Sequence, residues 1–104
     1  MSERRDIVVK SMDEIKDIVE LFYQQKEKEA LDNFTVGLGN MMTAIDSIFA
    51  YRDANAGFEL DEERLTNILK EAMTALQDGD MVLLADILQY DYLEYMEELA
   101  GAME

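Results

Sequence analysis

The chain contains no proline in 104 residues and only five glycines. Proline is the commonest breaker of helices and a frequent marker of loops and sheet edges, so its absence favours long, uninterrupted helices. Apolar residues recur at steps of three and four along most of the chain, as in helices with one buried face. Because 49% of the residues are hydrophobic and the length suits one modest core, we expect a single all-α domain, a small antiparallel up-and-down bundle.

The helices can be placed from the signals at their starts. We predict a flexible arm over residues 1–10, because its β-branched run at Ile7 to Val9 has no second strand-like run to pair with. A helical domain then spans 11–104, with helices at about 11–55, 61–77 and 80–100. The first of these starts at Ser11, since Ser11 and Glu14 fit a capping box.

The two later connections carry clear stop and start signals. Asn55-Ala56-Gly57 predicts a left-handed helix end, and Asp61 is placed to cap the second helix. Asp78-Gly79-Asp80 supplies a terminating glycine followed directly by a new cap, in a turn short enough to force antiparallel packing. The same turn superficially resembles a calcium loop. Apolar residues follow where an EF-hand needs acids, so capping is the favoured interpretation.

Two apolar stripes in the first half of the chain are out of register. The first stripe comprises Met12, Ile15, Ile18, Val19 and Phe22, and the second, in heptad spacing, comprises Leu31, Phe34, Leu38, Met41, Ile45 and Ile48. Either one long helix changes the neighbour that it faces, or the helix breaks near Asp32-Asn33. Gly37 and Gly39 should each weaken the helix by about 1 kcal/mol, so we expect both to let a neighbouring helix approach closely.

The last predicted helix has two apolar faces on a regular helical wheel. The main face comprises Met81, Leu84, Ala85, Leu88, Tyr92, Tyr95 and Leu99, with Met96 on its flank. The second face, among acids, comprises Leu83, Ile87 and Tyr90. Residues 31–100 can form a bundle of three core helices, so the N-terminal stripe either covers this second face in a four-helix arrangement or is left for another molecule. We predict that the partner or self-association surface consists of Leu83, Ile87, Tyr90, Ile15, Ile18, Val19 and Phe22.

Charge narrows the choice of partner. The formal net charge is −15, and residues 71–104 contain nine acids and no lysine or arginine. Such a surface repels phosphate backbones and anionic lipid, so we expect neither direct nucleic-acid binding nor membrane binding. Basic or amphipathic protein segments remain. The polar, charged start lacks the apolar core of a secretory signal, and we expect a cytoplasmic protein.

The side chains needed for most catalysis are missing. The sequence has no histidine and no cysteine, which removes the common general bases, thiol nucleophiles and transition-metal ligands. Carboxylate-only hydrolysis by Glu94 with Glu97 or Glu98 remains open, although acids at this helical spacing are usually a solvated face. We therefore predict no enzyme, no cofactor and no metal.

The segment DGDMVLLADILQYDYLEY, residues 78–95, is similar to a stretch in small uncharacterised acidic helical proteins of clostridia and related bacteria. That resemblance implies a module of the bacterial cytoplasm. The small size, acidity and antiparallel amphipathic helices also resemble, at the level of the fold, flagellar and type III export chaperones.

We predict a non-enzymatic protein-interaction module, or chaperone-like adaptor, that forms a homodimer and binds a helical or basic protein segment. Binding would bury a helix in a groove while the acids steer association and reject wrong partners. The alternative is an acidic regulator that mimics nucleic acid and occupies the basic groove of a DNA-binding protein. In that case, neutralising Asp86, Asp91 and Glu94 should cost more affinity than removing Tyr90.

Overall fold

The computed structural model describes residues 3–103, and within that range the chain is helical apart from short connections. The elements are α1 (Glu3–Tyr23), α2 (Glu27–Ala54), α3 (Glu62–Gln77), α4 (Met81–Asp86), a π-helical segment (Ile87–Tyr92) and α5 (Leu93–Ala102). The last three are continuous and are called the C-terminal helix, residues 81–102. The predicted all-α helical bundle is confirmed. Among residues 3–103, no helix is both long enough and apolar enough to cross a bilayer.

Helix α1 is the central element of the bundle. It packs along α2 on one side and against the C-terminal helix on another, while α3 packs on α4 and the π segment. Of the two alternatives for the N-terminal stripe, the structure adopts the four-helix arrangement, but Leu83 and Tyr90 of the second face stay exposed. Near one end of this antiparallel interface the Arg5 side chain donates from Nε to the Ala100 carbonyl at 3.1 Å. A basic side chain at the end of α5 satisfies a carbonyl that has no partner within its helix.

The first helix starts eight residues before the predicted Ser11. Residues 3–10 form its first turns and not an arm; Met1 and Ser2 lie outside the described residues. Val8 is 1% exposed and lies four residues before Met12, so it extends the apolar stripe by one turn. The β-branched run at residues 7–9 is therefore part of α1, and its middle residue, Val8, packs in the core. Ser11 lies inside the helix, where it is buried, and the predicted capping box is wrong.

The first helix does break, but at residues 24–26 and not near Asp32. The Gln25 N–H donates to the Phe22 carbonyl at 3.0 Å, and the Lys26 N–H donates to the Leu21 carbonyl at 3.0 Å. These two bonds, with Gln25 at φ 62°, form a Schellman helix end. The polar run after Phe22 is thus a tight reversal that lays α2 antiparallel along α1.

The predicted starts of the two later helices are confirmed. The Asp61 side chain accepts a hydrogen bond from the Arg64 N–H at 3.0 Å, and the Asp80 side chain accepts one from the Leu83 N–H at 3.1 Å. Gly79 ends α3 at φ +73°, as its position predicted. The left-handed end predicted at Asn55 is wrong: Asn55 is extended, with φ −135°.

The π segment changes which residues of the C-terminal helix are buried. The Leu93 N–H donates to the Leu88 carbonyl, five residues back, so one turn holds an extra residue. Buried residues consequently occur as adjacent pairs, 84/85, 87/88, 92/93, 95/96 and 99/100, with one step of five across the π segment. This widened face suits a helix packed between α1 and α3. Ile87 belongs to it and is 5% exposed, so the predicted second apolar face loses its central member.

The two glycines of α2 have different environments. A Cβ on Gly37 would lie 2.8 Å from Ile18 Cδ1 of α1, so this glycine allows the close approach that was predicted. A Cβ on Gly39 would meet no described atom within 4 Å. The expectation of close packing is therefore confirmed at Gly37 and wrong within this chain at Gly39.

Candidate interaction surface

The N-terminal stripe is part of the core and is not an open surface. The predicted surface residues of α1 are between 0 and 8% exposed: Ile15, Ile18, Val19 and Phe22. They contact α2 and the C-terminal helix because the reversal at 24–26 folds α1 into the middle of the bundle. They do not form an open partner surface, so that assignment is corrected, although Val19 lines the groove between α1 and the π segment described below.

The predicted group on the C-terminal helix is divided. Leu83 is 47% exposed and Tyr90 is 62% exposed, whereas Ile87 points into the core. The wheel assumed 100° per residue throughout, and the π segment between Leu83 and Tyr90 breaks that assumption. Two of the three predicted residues remain available to a partner.

Tyr23, at the end of α1, contacts the C-terminal helix at Asp86, which is three residues after Leu83 and four before Tyr90 and so lies on their side of the helix. Its hydroxyl donates to Asp86 Oδ1 at 2.6 Å, and its ring, 46% exposed, lines a groove together with Tyr90. Burial of the hydroxyl and the hydrogen bond to Asp86 raise the pKa of Tyr23 to about 12. We call Tyr23, Leu83 and Tyr90 the tyrosine patch. The sequence signal for Tyr23 was an aromatic residue beside the stripe, at the start of the polar run.

Tyr90 lies between two grooves of different character. The groove that it shares with Tyr23 has a volume of about 520 Å³ and is also lined by Lys16 and Glu20. The second groove, about 580 Å³, runs between α3 and the π segment. Five carboxylates and one guanidinium line this second groove, from Asp61, Glu63, Glu71, Asp91, Glu94 and Arg64. We call it the acidic groove; its excess of carboxylates favours a cationic occupant.

The guanidinium of the acidic groove already has two partners. Arg64 Nη1 donates to Glu98 at 3.2 Å, and its guanidinium carbon lies 4.0 Å from the centre of the Tyr95 ring. The Tyr95 hydroxyl accepts a hydrogen bond from the Asp61 N–H at 2.9 Å. These contacts secure the start of α3 against α5. Since Arg64 is held by Glu98 and Tyr95, it offsets little of the charge along the rest of the acidic groove.

Tyr92, unlike Tyr23 and Tyr90, belongs to the core. Its side chain is 1% exposed, and this burial raises the pKa of the hydroxyl. The neighbouring Ser11 hydroxyl acts in the opposite direction and lowers that pKa. Both hydroxyls are buried, and among residues 3–103 neither has a partner in good hydrogen-bonding geometry. Their positions inside the α1 interface make them structural, and no ligand can reach them.

The carboxylates do not assemble into a metal centre within residues 3–103, where no three acids are close enough to share an ion. In the Asp78-Gly79-Asp80 turn, Asp80 is used as a helix cap. Glu94, Glu97 and Glu98, considered above for hydrolysis, are exposed side chains. The chemistry that the surface offers is therefore apolar contact at the tyrosine patch beside a concentration of negative charge.

Comparison with known proteins gives a family but no activity. Searches of curated proteins and of solved structures returned no match. A family model described as "Domain of unknown function (DUF8042)" matches residues 2–102, nearly the whole chain. The chain therefore belongs to the DUF8042 family.

Proposed function

We propose that this protein is a non-enzymatic interaction module of the cytoplasm that holds a basic, amphipathic helical segment of another protein. The observation behind this proposal is the position of Tyr90. It is 62% exposed and lines both the groove shared with Tyr23 and the acidic groove. One bound segment could therefore use apolar and electrostatic contacts at the same time.

The apolar contacts would come from the tyrosine patch. Its three side chains are each about half exposed, on α1, α4 and the π segment. A helical segment presents apolar residues at steps of three and four, which is the arrangement that helix-in-groove recognition uses. Aromatic rings offer large contact area with few rotatable bonds, so little entropy is lost when they are covered. The hydrogen bond from Tyr23 to Asp86 also fixes one ring before binding.

The electrostatic contacts would come from the acidic groove. Lysine or arginine side chains on the polar face of the segment could extend past Tyr90 towards Asp91 and Glu94. A cation beside the Tyr90 ring would gain about 0.5–1 kcal/mol more from its attraction to the aromatic face. The net charge of −15 would speed the approach of a basic partner and repel acidic ones.

A designed peptide can test the proposal before the natural partner is identified. The probe is a fluorescent helix of about 18 residues, long enough for about five turns, with leucines on one face and lysines on the other. Its counterpart has glutamate in place of every lysine. We expect the lysine peptide to bind and the glutamate peptide not to bind. Equal binding of both peptides, or no binding of either, would contradict the proposal.

Matched variants locate the binding site. The double substitution Leu83→Gln with Tyr90→Gln should weaken peptide binding at least ~10-fold, since it removes two central apolar contacts. The control is Val36→Gln with Met42→Gln on α2, where side chains of comparable exposure, 64% and 45%, are changed to the same residue. The control should bind normally. Equal loss in the two double variants would mean that the tyrosine patch is not the site.

The acidic groove also supports the second candidate, a regulator that mimics nucleic acid and occupies a basic DNA-binding groove. Asp91 and Glu94 line it together, whereas Asp86 is bonded to Tyr23. The two functions differ in which variant matters more. Tyr90→Ala should cost more peptide affinity if the segment is amphipathic, and Asp91→Asn with Glu94→Gln should cost more if charge mimicry dominates.

A further inference from the structure

Helix α2 has an uncharged stretch on its outer side, between Asp32 and Asp46. Residues 33–45 contain no aspartate, glutamate, lysine or arginine, in a chain that is 32% charged. Two large apolar side chains project from this stretch into solvent: Val36 is 64% exposed and Met42 is 45% exposed. The exposed residues of this stretch that surround Gly39 form what we call the neutral face: Thr35, Val36, Gly39, Met42 and Thr43. Charged residues border this face. Asp32 and Asp46 end the stretch along α2, and Thr43 lines a pocket together with Lys10, Glu14 and Asp17 of α1, where Glu14 Oε1 accepts from Asn40 at 2.9 Å.

Gly39 lies at the centre of the neutral face and leaves the helix backbone accessible there. Val36 and Met42 are three residues before and after it, on either side of the outermost line of the helix. A Cβ at Gly39 would touch no described atom within 4 Å, in contrast to Gly37 beside Ile18. The fold of residues 3–103 therefore does not need a glycine at 39. A helix from outside the chain could approach this backbone closely.

The polar groups of the neutral face are already hydrogen-bonded. Thr35 Oγ1 donates to the Leu31 carbonyl at 3.1 Å, and Thr43 Oγ1 donates to the Gly39 carbonyl at 3.2 Å. Burying a hydroxyl is costly when its hydrogen is left without an acceptor. Because both hydroxyls keep their acceptors within α2, a partner could cover them without that cost.

We propose that the neutral face binds a second copy of this chain, with α2 packed against α2 about a two-fold axis near Gly39. A basic partner would gain less charge attraction there than at the acidic groove, and two copies of net charge −15 would repel each other less through this stretch than through residues 71–104, which hold nine acids and no base. A two-fold axis places Val36 and Met42 of each copy against the same surface of the other. The uncharged stretch is about 20 Å long, too short for the ~800 Å² per partner of standard interfaces, so association is weak, micromolar or weaker.

Sedimentation equilibrium of the whole chain from about 10 μM to about 1 mM, in about 0.5 M salt to screen repulsion, tests the proposal. We expect a dimer whose dissociation constant rises at least ~10-fold in Val36→Asp, because dimerisation would then take an unpaired carboxylate out of water. Val82→Asp on α4 is the control, since Val82 is 71% exposed and lies outside the neutral face. A monomer throughout, or equal effects of the two substitutions, would overturn the proposal.

Crosslinking gives a second test that does not depend on a weakened variant. The sequence has no cysteine, so Gly39→Cys introduces a single thiol near the proposed axis. We expect it to form disulfide dimers at least ~10-fold faster than Val82→Cys, because thiols must come within bonding distance to react. Equal rates would contradict a two-fold contact at Gly39. Peptide binding at the tyrosine patch needs no dimer, so either proposal can fail without the other.

Discussion

The tyrosine patch and the neutral face are both exposed and apolar, but they differ in what surrounds them. Tyr90 of the patch borders a groove lined by five carboxylates. Val36 and Met42 of the neutral face lie in a stretch of α2 that has no charged residue from 33 to 45. The surroundings, more than the apolar area, decide the partner. A groove lined by acids suits a basic segment, whereas a stretch of helix with no charge of its own suits another copy of an acidic chain.

The largest effect is on stability, and it should distinguish these exposed surfaces from the α1 stripe, which is equally apolar but buried. Ile15 is 0% exposed, so Ile15→Asp would place an unpaired charge in the core and should cost more than about 4 kcal/mol, enough to unfold a small domain. Leu83 is 47% exposed, so Leu83→Asp should stay folded and change the free energy of unfolding by less than about 1 kcal/mol. Urea denaturation followed by circular dichroism measures both. An Ile15→Asp variant as stable as Leu83→Asp would mean that the α1 stripe is not buried.

Salt should affect the two surfaces in opposite directions. Raising the salt concentration from about 50 to 500 mM should weaken capture of the lysine peptide by about 10-fold, because the attraction of its charges to the acidic groove is screened. The same change should strengthen self-association, because it screens repulsion between two chains of net charge −15. Fluorescence anisotropy and sedimentation equilibrium give the two constants. Salt effects of the same sign would remove the distinction.

A smaller effect should distinguish the two glycines of α2. Gly39→Ala should raise the free energy of unfolding of the monomer by up to about 1 kcal/mol, since alanine favours helices and its Cβ meets nothing described nearby. Gly37→Ala should give a free energy of unfolding at least about 1 kcal/mol below that of Gly39→Ala, because its Cβ would press on Ile18 in the core. Thermal denaturation at low protein concentration avoids any contribution from dimers. Equal gains would mean that α1 does not approach α2 closely at Gly37.

The smallest effect concerns the hydrogen bond that fixes one ring of the patch. Tyr23→Phe should cost about 0.5–1 kcal/mol, because it removes the bond to Asp86 at an exposed site. The pKa of Tyr23 is raised from 10.0 to about 12, so its contribution to stability is fully present below pH 10 and is lost as the pH rises through about 12. The variant should therefore lose less stability than the native chain over that interval. Parallel losses in urea titrations would show that Tyr23 takes no part.

Much of the fold could be predicted from the sequence because its helix signals are local. Asp61 and Asp80 cap the helices that they were expected to cap, and Gly79 ends α3. The reversal at 24–26 uses the same Schellman pattern as Gly79, but with Gln25 in the left-handed position. Glutamine carries no signal for that conformation, since glycine and asparagine are the residues that usually adopt it.

The candidate site was predicted less well because its position depends on helix register. Leu83 and Tyr90 are exposed as expected, but Ile87 is buried by the π segment. The spacing of apolar pairs, with one step of five from Leu88 to Leu93, is the signal that could have indicated the extra residue. The burial of the α1 stripe depended on tertiary packing, which no local pattern specifies.

The most direct test of the account measures peptide capture and self-association in the same two variants. We expect Val36→Asp to be monomeric at concentrations where the native chain dimerises, while it binds the lysine peptide with native affinity. We expect Leu83→Gln with Tyr90→Gln to dimerise normally and to bind the peptide at least ~10-fold more weakly. If either variant loses both activities while its circular dichroism spectrum stays native, the two surfaces are not separate and the account is wrong.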